Sequence, residues 1–198
     1  MSNPNNETWA EKGNRSENEL FLAVGKALSH WELVEQAIAS LFTVITVGSY
    51  FAPVAPTVRA YAAIVGSKAR IDMVQAALLS WLHDWTDCPC GQNAKDVLRD
   101  CGRWASKRNN IAHGLVDMFI DEPGAWFLLP SLYNLKGRPL GDRAASKPAY
   151  RYNAEMIISY GEKFLELHNR LNEVTSMLGE WHRIAASERQ VGRNKDNA

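Results

Sequence analysis

The segment Arg108-Asn109-Asn110-Ile111-Ala112-His113 holds residue types suited to chemistry on a phosphodiester. An imidazole can exchange a proton near neutral pH, and a guanidinium carries a permanent positive charge with a forked set of donors. Asn109 and His113 are four residues apart, so they are neighbours on a helix. His113 precedes Gly114, the predicted C-terminal cap, where the negative end of the helix dipole favours a protonated ring. The pattern indicates acid–base chemistry beside a fixed cation.

This segment closes the third of four predicted helices, which runs from about Asn93 to His113. On a helical wheel, Arg108 falls near the middle of the apolar arc formed by Val97, Leu98, Cys101, Trp104, Ala105, Ile111 and Ala112. A buried guanidinium needs a partner. Glu35 lies within the apolar arc of the first helix, so a Glu35–Arg108 ion pair is the structural alternative to a functional role for Arg108.

Three basic residues, Arg99, Arg103 and Lys107, follow one another at four-residue spacing on the third helix. They form a stripe beside the His113 edge, which either tracks RNA phosphates or is an ordinary solvated face. Lys and Arg total 22 and Asp and Glu also total 22, so the formal net charge is zero. Only a local patch of this kind could therefore attract a nucleic acid.

Hydrophobic periodicity of three and four residues predicts the other helices. The first runs from about Ser16 to Thr46, the second from about Pro56 to Trp85, and the fourth from the cap Asn153 to about Ala185. The fourth carries a seven-residue apolar repeat, formed by Ile157, Phe164, Leu171 and Leu178 at one position and Tyr160, Leu167, Val174 and Trp181 at the other. Such a repeat is typical of a bundle seam. The predicted fold is mainly α, a four-helix up-and-down bundle.

A change of period separates the third and fourth helices. Residues 116–120 and 125–129 flank a turn-forming Asp-Glu-Pro-Gly sequence, which predicts a β-hairpin, and 150–152 could add a short strand. The insertion spans about 115–152. Polar residues dominate 1–16 and 187–198, which are predicted to be flexible tails flanking a bundle domain at 17–186.

The residues Arg108, polar Asn109 and His113 resemble the R-x(4–6)-H motif of the HEPN superfamily (higher eukaryotes and prokaryotes nucleotide-binding domains), which also closes the third helix of a four-helix bundle. The resemblance covers most of the chain in architecture and six residues in sequence. It implies a metal-independent endoribonuclease whose two copies line one cleft. His113 would then act as general acid or base, Arg108 would stabilise charge on the phosphoryl oxygens, and Asn109 would orient the scissile group. Leu115 replaces the Tyr found in some toxin members.

Two functions remain open at this point. The first is a homodimeric, HEPN-like ribonuclease of toxin or phage-defence type, with RNA as substrate and a neutralising or regulatory protein as a further partner. The second is a non-catalytic interaction or RNA-binding bundle, in which Arg108 forms a structural ion pair with Glu35.

Composition limits the remaining classes of protein. Apolar residues make up 46% of the chain and charged residues 22%, as in globular domains. No apolar run approaches the ~18 residues of a membrane span, and the polar start of the chain lacks a signal peptide, so we expect a cytoplasmic protein. Cys88-x-Cys90, with His83 and Cys101, lacks the spacing of a zinc site. We therefore expect no metal and no cofactor.

Overall fold

The computed structural model describes residues 8–48, 56–118, 122–131 and 148–196. Within these ranges the elements are α1 Glu17–Val47, α2 Pro56–Ala62, α3 Ser67–Asp84, α4 Gly91–Ala112, β1 Gly114–Met118, β2 Trp126–Pro130 and α5 Ala154–Asp196. The mainly α fold with a hairpin between the third and fourth predicted helices is confirmed. None of the helices in the described part of the chain combines the length and the apolarity needed to cross a membrane.

The second predicted helix is divided into α2 and α3, which corrects the prediction of a single helix over 56–85. Gly66 adopts a φ of +96°, which lies outside the helical region and is accessible to glycine. The amide of Ile64 donates to the carbonyl of Tyr61 (3.1 Å), which tightens the end of α2. The carbonyl of Ile64 in turn accepts a hydrogen bond from Nε of Arg70 (3.0 Å). The break therefore has its own set of hydrogen bonds.

Contacts divide the chain into two compact units. One comprises Met1–Glu32 and Arg103–Leu165, and the other comprises Leu33–Gly102 and Glu166–Ala198. Core residues of the first include Leu20, Ala27, Trp31, Trp104, Ile111, Phe127, Tyr152, Ile157 and Phe164. Core residues of the second include Val34, Ile38, Leu41, Ile71, Val74, Leu78, Leu98, Leu171 and Leu178. Every predicted seam position of α5 is buried except Trp181, which is half-buried, so the repeat read from the sequence is confirmed.

The cap at the start of α5 is also confirmed. The side-chain oxygen of Asn153 accepts a hydrogen bond from the amide of Met156 (2.9 Å), as an N-cap residue should. At its other end α5 extends to Asp196, so the helix runs past its predicted end near Ala185 into the segment predicted to be a tail. The polar residues there include Glu, Arg and Gln, which favour a helix intrinsically and need no apolar face to do so.

A flexible tail was predicted over 1–16; the structure describes residues 8–16 of this segment, and their backbone is hydrogen-bonded to two other segments. The amide of Ala10 donates to the carbonyl of Arg151 (2.7 Å), and Asn14 exchanges two backbone hydrogen bonds with Trp126 (both 2.9 Å). The short strand predicted at 150–152 is present only as isolated bridges, including one that joins Tyr152 to Leu128. The segment before α1 is therefore bound to the hairpin and to the residues that precede α5.

The side chain of Arg151 holds this arrangement together. Its Nε and Nη2 atoms donate to the carbonyl of Ala10 (2.9 and 2.6 Å), and its Nη1 atom forms an ion pair with Glu122 (2.9 Å). The guanidinium carbon lies 4.4 Å from the ring centroids of both Trp9 and Phe127. A buried arginine with hydrogen bonds and two aromatic faces is thus a structural element of the first unit.

Candidate functional site

The candidate residues lie at the junction of α4 and β1. α4 ends at Ala112, and the amide of His113 donates to the carbonyl of Asn109 (3.0 Å), which completes the last helical hydrogen bond. The side chains of Asn109 and His113 are both exposed. Because they belong to one helical turn, a ligand at the end of α4 could contact both of them.

Gly114 directly follows this turn and has a different role from the predicted one. It is the first residue of β1 rather than a left-handed helix cap, and its φ is not positive. A Cβ added there would lie 2.6 Å from Cγ of Leu128 and 2.9 Å from the carbonyl oxygen of Asn110. The glycine is therefore required by a close approach between the end of α4 and β2. Because of this contact, the position that follows His113 has no room for a side chain.

Arg108 is half-buried, with few hydrogen bonds for a guanidinium. Its Nη1 atom donates to the side-chain oxygen of Asn109 (3.3 Å). Its Nε atom is buried and has no hydrogen-bond partner among the residues that the structure describes. A buried donor without a partner costs about 1–3 kcal/mol. Asn109 therefore orients the guanidinium of Arg108, whose Nε donor has no partner among the described residues.

Glu35, the expected counter-ion of Arg108, has other partners. One of its carboxylate oxygens accepts a hydrogen bond from Nη1 of Arg70 (3.0 Å), and the other accepts one from the hydroxyl of Ser67. Both partners belong to the same compact unit as Glu35. The partner predicted for Glu35 is therefore corrected from Arg108 to Arg70.

Lys107 does not belong to an exposed basic stripe, which is a second correction. Its side chain is 2% exposed, and its Nζ atom donates to the hydroxyl of Tyr152 (3.1 Å). The same atom lies 5.0 Å from the ring centroids of Tyr152 and Tyr160. The predicted apolar arc of α4 is otherwise confirmed, since all its members are buried except Ala112, which is half-buried; Lys107 lies inside this face and Arg108 at its edge.

The other two members of the predicted stripe are exposed. Arg99 forms an ion pair with Asp96 one turn earlier on α4 (2.7 Å), in which the Arg99 side chain is 54% exposed. An exposed pair of this kind contributes little to stability. Arg103 remains the exposed basic residue of the predicted stripe nearest in sequence to Arg108.

Tyr150 and Tyr152 complete the site, and neither was predicted from the sequence to be a site residue. The side-chain amide of Asn110 donates to the hydroxyl of Tyr152 (3.0 Å), and the hydroxyl of Tyr150 donates to the carbonyl of Asn110 (3.0 Å). The two tyrosine rings are stacked with centroids 4.7 Å apart. Burial raises the pKa of both phenols, so they stay neutral at physiological pH. The alternation Tyr150-Arg151-Tyr152 was the available signal, because it places both phenols on one side of an extended segment.

The end of α4 therefore has two faces with different properties. Lys107 and Asn110 are held by one phenol on the inner face, while Arg108, Asn109 and His113 lie at the edge or on the surface. In the described ranges, no three His, Cys, Asp or Glu residues are arranged to hold a metal ion. The outer face offers a proton-exchanging group and an oriented cation.

Comparisons with known proteins add no relative. No family model matches the chain, and no curated protein and no solved structure is similar to it.

Proposed function

We propose that the end of α4 is the active site of a metal-independent, HEPN-like endoribonuclease. The observation that carries the proposal is the state of Arg108, a half-buried guanidinium held by Asn109 with an unused buried donor, in the same segment as exposed His113. A cation that is oriented but incompletely satisfied is suited to an anionic ligand. RNA supplies such a ligand at every phosphodiester.

The reaction would proceed by attack of the ribose 2′-oxygen on the adjacent phosphorus. A bond forms between phosphorus and O2′, the bond to the 5′-oxygen breaks, and the product carries a 2′,3′-cyclic phosphate. The 2′-hydroxyl loses a proton and the leaving oxygen gains one, so an acid and a base are needed. His113 would serve one of these transfers, and Arg108 would donate to the non-bridging oxygens as charge builds on them.

A second copy of the chain would supply the other imidazole. Because one His113 cannot act as base and acid in the same step, two copies that bring their segments together would provide both groups. A homodimer with a composite cleft is therefore part of the proposal. By the same resemblance, we propose that the protein is a ribonuclease of toxin or phage-defence type, which acts in the cytoplasm and is restrained by a protein partner.

The inner face of the helix end supports this role. Lys107 and Asn110 both donate to Tyr152, and Tyr150 donates to the backbone of Asn110. These hydrogen bonds fix the backbone on both sides of Arg108 and Asn109. A site whose supporting residues are locked keeps its reacting groups in place at no further entropic cost.

The test is an RNA digest with purified full-length protein in EDTA. We expect wild-type protein to release fragments with 2′,3′-cyclic phosphate ends, and His113→Ala to lose at least ~100-fold in rate because a proton transfer is unassisted. Arg108→Met should lose about 100- to 1000-fold. His83→Ala is the matched control, since His83 is an exposed histidine near the end of another helix, and it should cleave like wild type.

Two results would contradict the proposal. One is a wild-type protein that is folded and inert on structured and unstructured RNAs, and the other is cleavage that survives His113→Ala unchanged. If wild-type protein binds RNA without cutting it, and Arg108→Met weakens binding, the site is a binding site alone. Solution mass then tests the dimer separately.

A further inference from the structure

The connection between α3 and α4 carries two thiols in direct contact. The Sγ atoms of Cys88 and Cys90 lie 3.2 Å apart, and Pro89 alone separates the two residues in sequence. The third cysteine, Cys101, lies within α4 and is fully buried. The described structure thus contains one cysteine pair that could react internally and one isolated cysteine.

Backbone hydrogen bonds hold the pair in this arrangement. The amide of Cys88 donates to the carbonyl of Trp85 (3.3 Å), and the amide of Gly91 donates to the carbonyl of Cys88 (3.2 Å). The carbonyl of Cys90 accepts from the amide of Ala94 (3.0 Å) in the first turn of α4. Pro89 fixes its own φ between the two cysteines. The sulfur atoms therefore face each other within a defined turn.

We propose that Cys88 and Cys90 form a reversible disulfide within this turn, by exchange with a small disulfide of the glutathione class. This modification site is independent of the proposed ribonuclease activity. Only Pro89 separates the two cysteines, so formation of the disulfide requires rearrangement of this turn alone. A disulfide in so short a ring is strained, and strained disulfides are the readily reduced, regulatory kind.

The exchange proceeds in two steps. The Cys88 thiolate attacks one sulfur of the small disulfide, forms a mixed disulfide and releases the first small thiolate, which takes up a proton. The Cys90 sulfur then attacks Sγ of Cys88, loses its proton to solvent and releases the second small thiol. Overall, two protein thiols lose two hydrogen atoms, and one small disulfide is reduced to two thiols.

Exposure assigns the order of the two cysteines. Cys88 is 8% exposed and Cys90 is 1% exposed, so Cys88 is the one that meets a co-reactant when the turn opens. Burial raises the pKa of the Cys90 thiol to about 12, and its hydrogen bond with Cys88 contributes to the rise. Cys90 therefore remains a thiol in the reduced pair. Once Cys88 carries the mixed disulfide, Cys90 is already in contact with the sulfur that it must attack.

The test uses full-length reduced protein equilibrated at a series of reduced-to-oxidised glutathione ratios. Samples are quenched in acid, denatured, alkylated and weighed intact by mass spectrometry. We expect oxidising ratios to remove two of the three alkylatable thiols, with no shift to a covalent dimer, and excess reductant to restore them. Peptide mapping of wild-type protein should place the missing thiols in the peptide that contains Cys88 and Cys90.

Single variants provide the matched controls. Cys101→Ala should lose both of its remaining thiols at the same ratio of reduced to oxidised glutathione as wild-type protein. Cys90→Ser should stop at a glutathione adduct on Cys88, while Cys88→Ser should form no internal disulfide. The proposal is overturned if wild-type protein keeps all three thiols at every ratio, or if the disulfide that forms includes Cys101 or a second chain. The wild-type mapping decides the question even if a variant fails to fold.

Discussion

Arg151 and Arg108 belong to the same compact unit and differ in nearly every respect. The side chain of Arg151 is 5% exposed, donates to the carbonyl of Ala10 and to Glu122, and lies against two aromatic rings. Arg108 has one hydrogen bond, to the adjacent Asn109, and a buried Nε atom without a partner in the described part of the chain. The first arginine is satisfied by the fold, and the second is not.

This difference separates a structural arginine from a candidate functional one. A guanidinium surrounded by acceptors contributes to folding and has no free donor to offer a ligand. A guanidinium with few hydrogen bonds contributes little to folding, and its Nη groups can donate to an anion that binds at the edge of α4. The state of Arg108 therefore indicates a role outside the fold, and replacement of the two arginines tests that conclusion.

The largest effect should come from Arg151→Met, with Arg108→Met as its comparison, because methionine keeps much of the apolar contact of an arginine. Arg151→Met leaves Glu122 and the Ala10 carbonyl without their donor, so we expect unfolding to require about 3–5 kcal/mol less free energy. Arg108→Met should change stability by no more than about 1 kcal/mol, because it removes one long hydrogen bond and one unsatisfied donor. Urea unfolding followed by circular dichroism measures both. Equal losses would mean that Arg108 is structural.

An intermediate effect should come from Gly114, the residue after His113. Gly114→Ala would place a Cβ 2.9 Å from the carbonyl oxygen of Asn110, which cannot move without distorting α4. We expect a loss of about 1–3 kcal/mol in the free energy of unfolding. Gly102→Ala is the control within the same helix: its Cβ would meet nothing within 4 Å, so it should stabilise by about 0.5–1 kcal/mol. If Gly114→Ala and Gly102→Ala have the same free energy of unfolding, the junction of α4 and β1 has room for a Cβ, which would contradict the close contact at Gly114.

The smallest effect at neutral pH should come from Tyr61→Phe. The hydroxyl of Tyr61, like Nε of Arg108, is buried without a partner among the described residues. Removing it should therefore raise the free energy of unfolding by about 1 kcal/mol at pH 7, because an unsatisfied buried hydroxyl is lost. A substantial loss of stability would show that this hydroxyl does have a partner.

Alkaline pH sharpens the same test. Burial, assisted by Glu35 and opposed by Arg70, raises the pKa of Tyr61 to about 12, above the ~10 of an unfolded chain. Between these values the unfolded state releases the proton first, so stability present below pH 10 falls as pH rises toward 12. Tyr61→Phe should show a shallower fall than wild type in unfolding free energy measured from pH 9 to 12. Identical slopes would contradict the raised pKa.

Periodicity predicted the elements and the apolar arc of α4 well, but it did not show which of two adjacent cations is buried. The apolar repeat of α5 and the hairpin needed only local sequence, and both are confirmed. The choice between Lys107 and Arg108 for the inner face could not be made locally, because the two are adjacent and both have long apolar stems. It depends on Tyr152, which lies 45 residues further along the chain. The break at Gly66 was missed because a single glycine is often tolerated within a helix.

The attachment of residues 8–16 could not be read from their polar composition. Trp9 was the available signal that this segment packs against the fold, but a tryptophan in a polar segment does not indicate which residue it contacts. That partner is Arg151, whose guanidinium contacts the ring. The chemistry of His113 and Arg108 was visible in the sequence, whereas the phenol of Tyr152, which binds Lys107 and Asn110, was missed because its partners lie far away along the chain.

The long separation between Ala10 and Arg151, 141 residues, has a consequence during synthesis. When Ala10 leaves the ribosome, the side chain that will bind its carbonyl has not yet been translated. The first unit therefore cannot close until translation has passed α4 and the hairpin, and its opening segment must remain available throughout. Final assembly of this unit therefore follows the synthesis of Arg151, whatever order the individual helices follow.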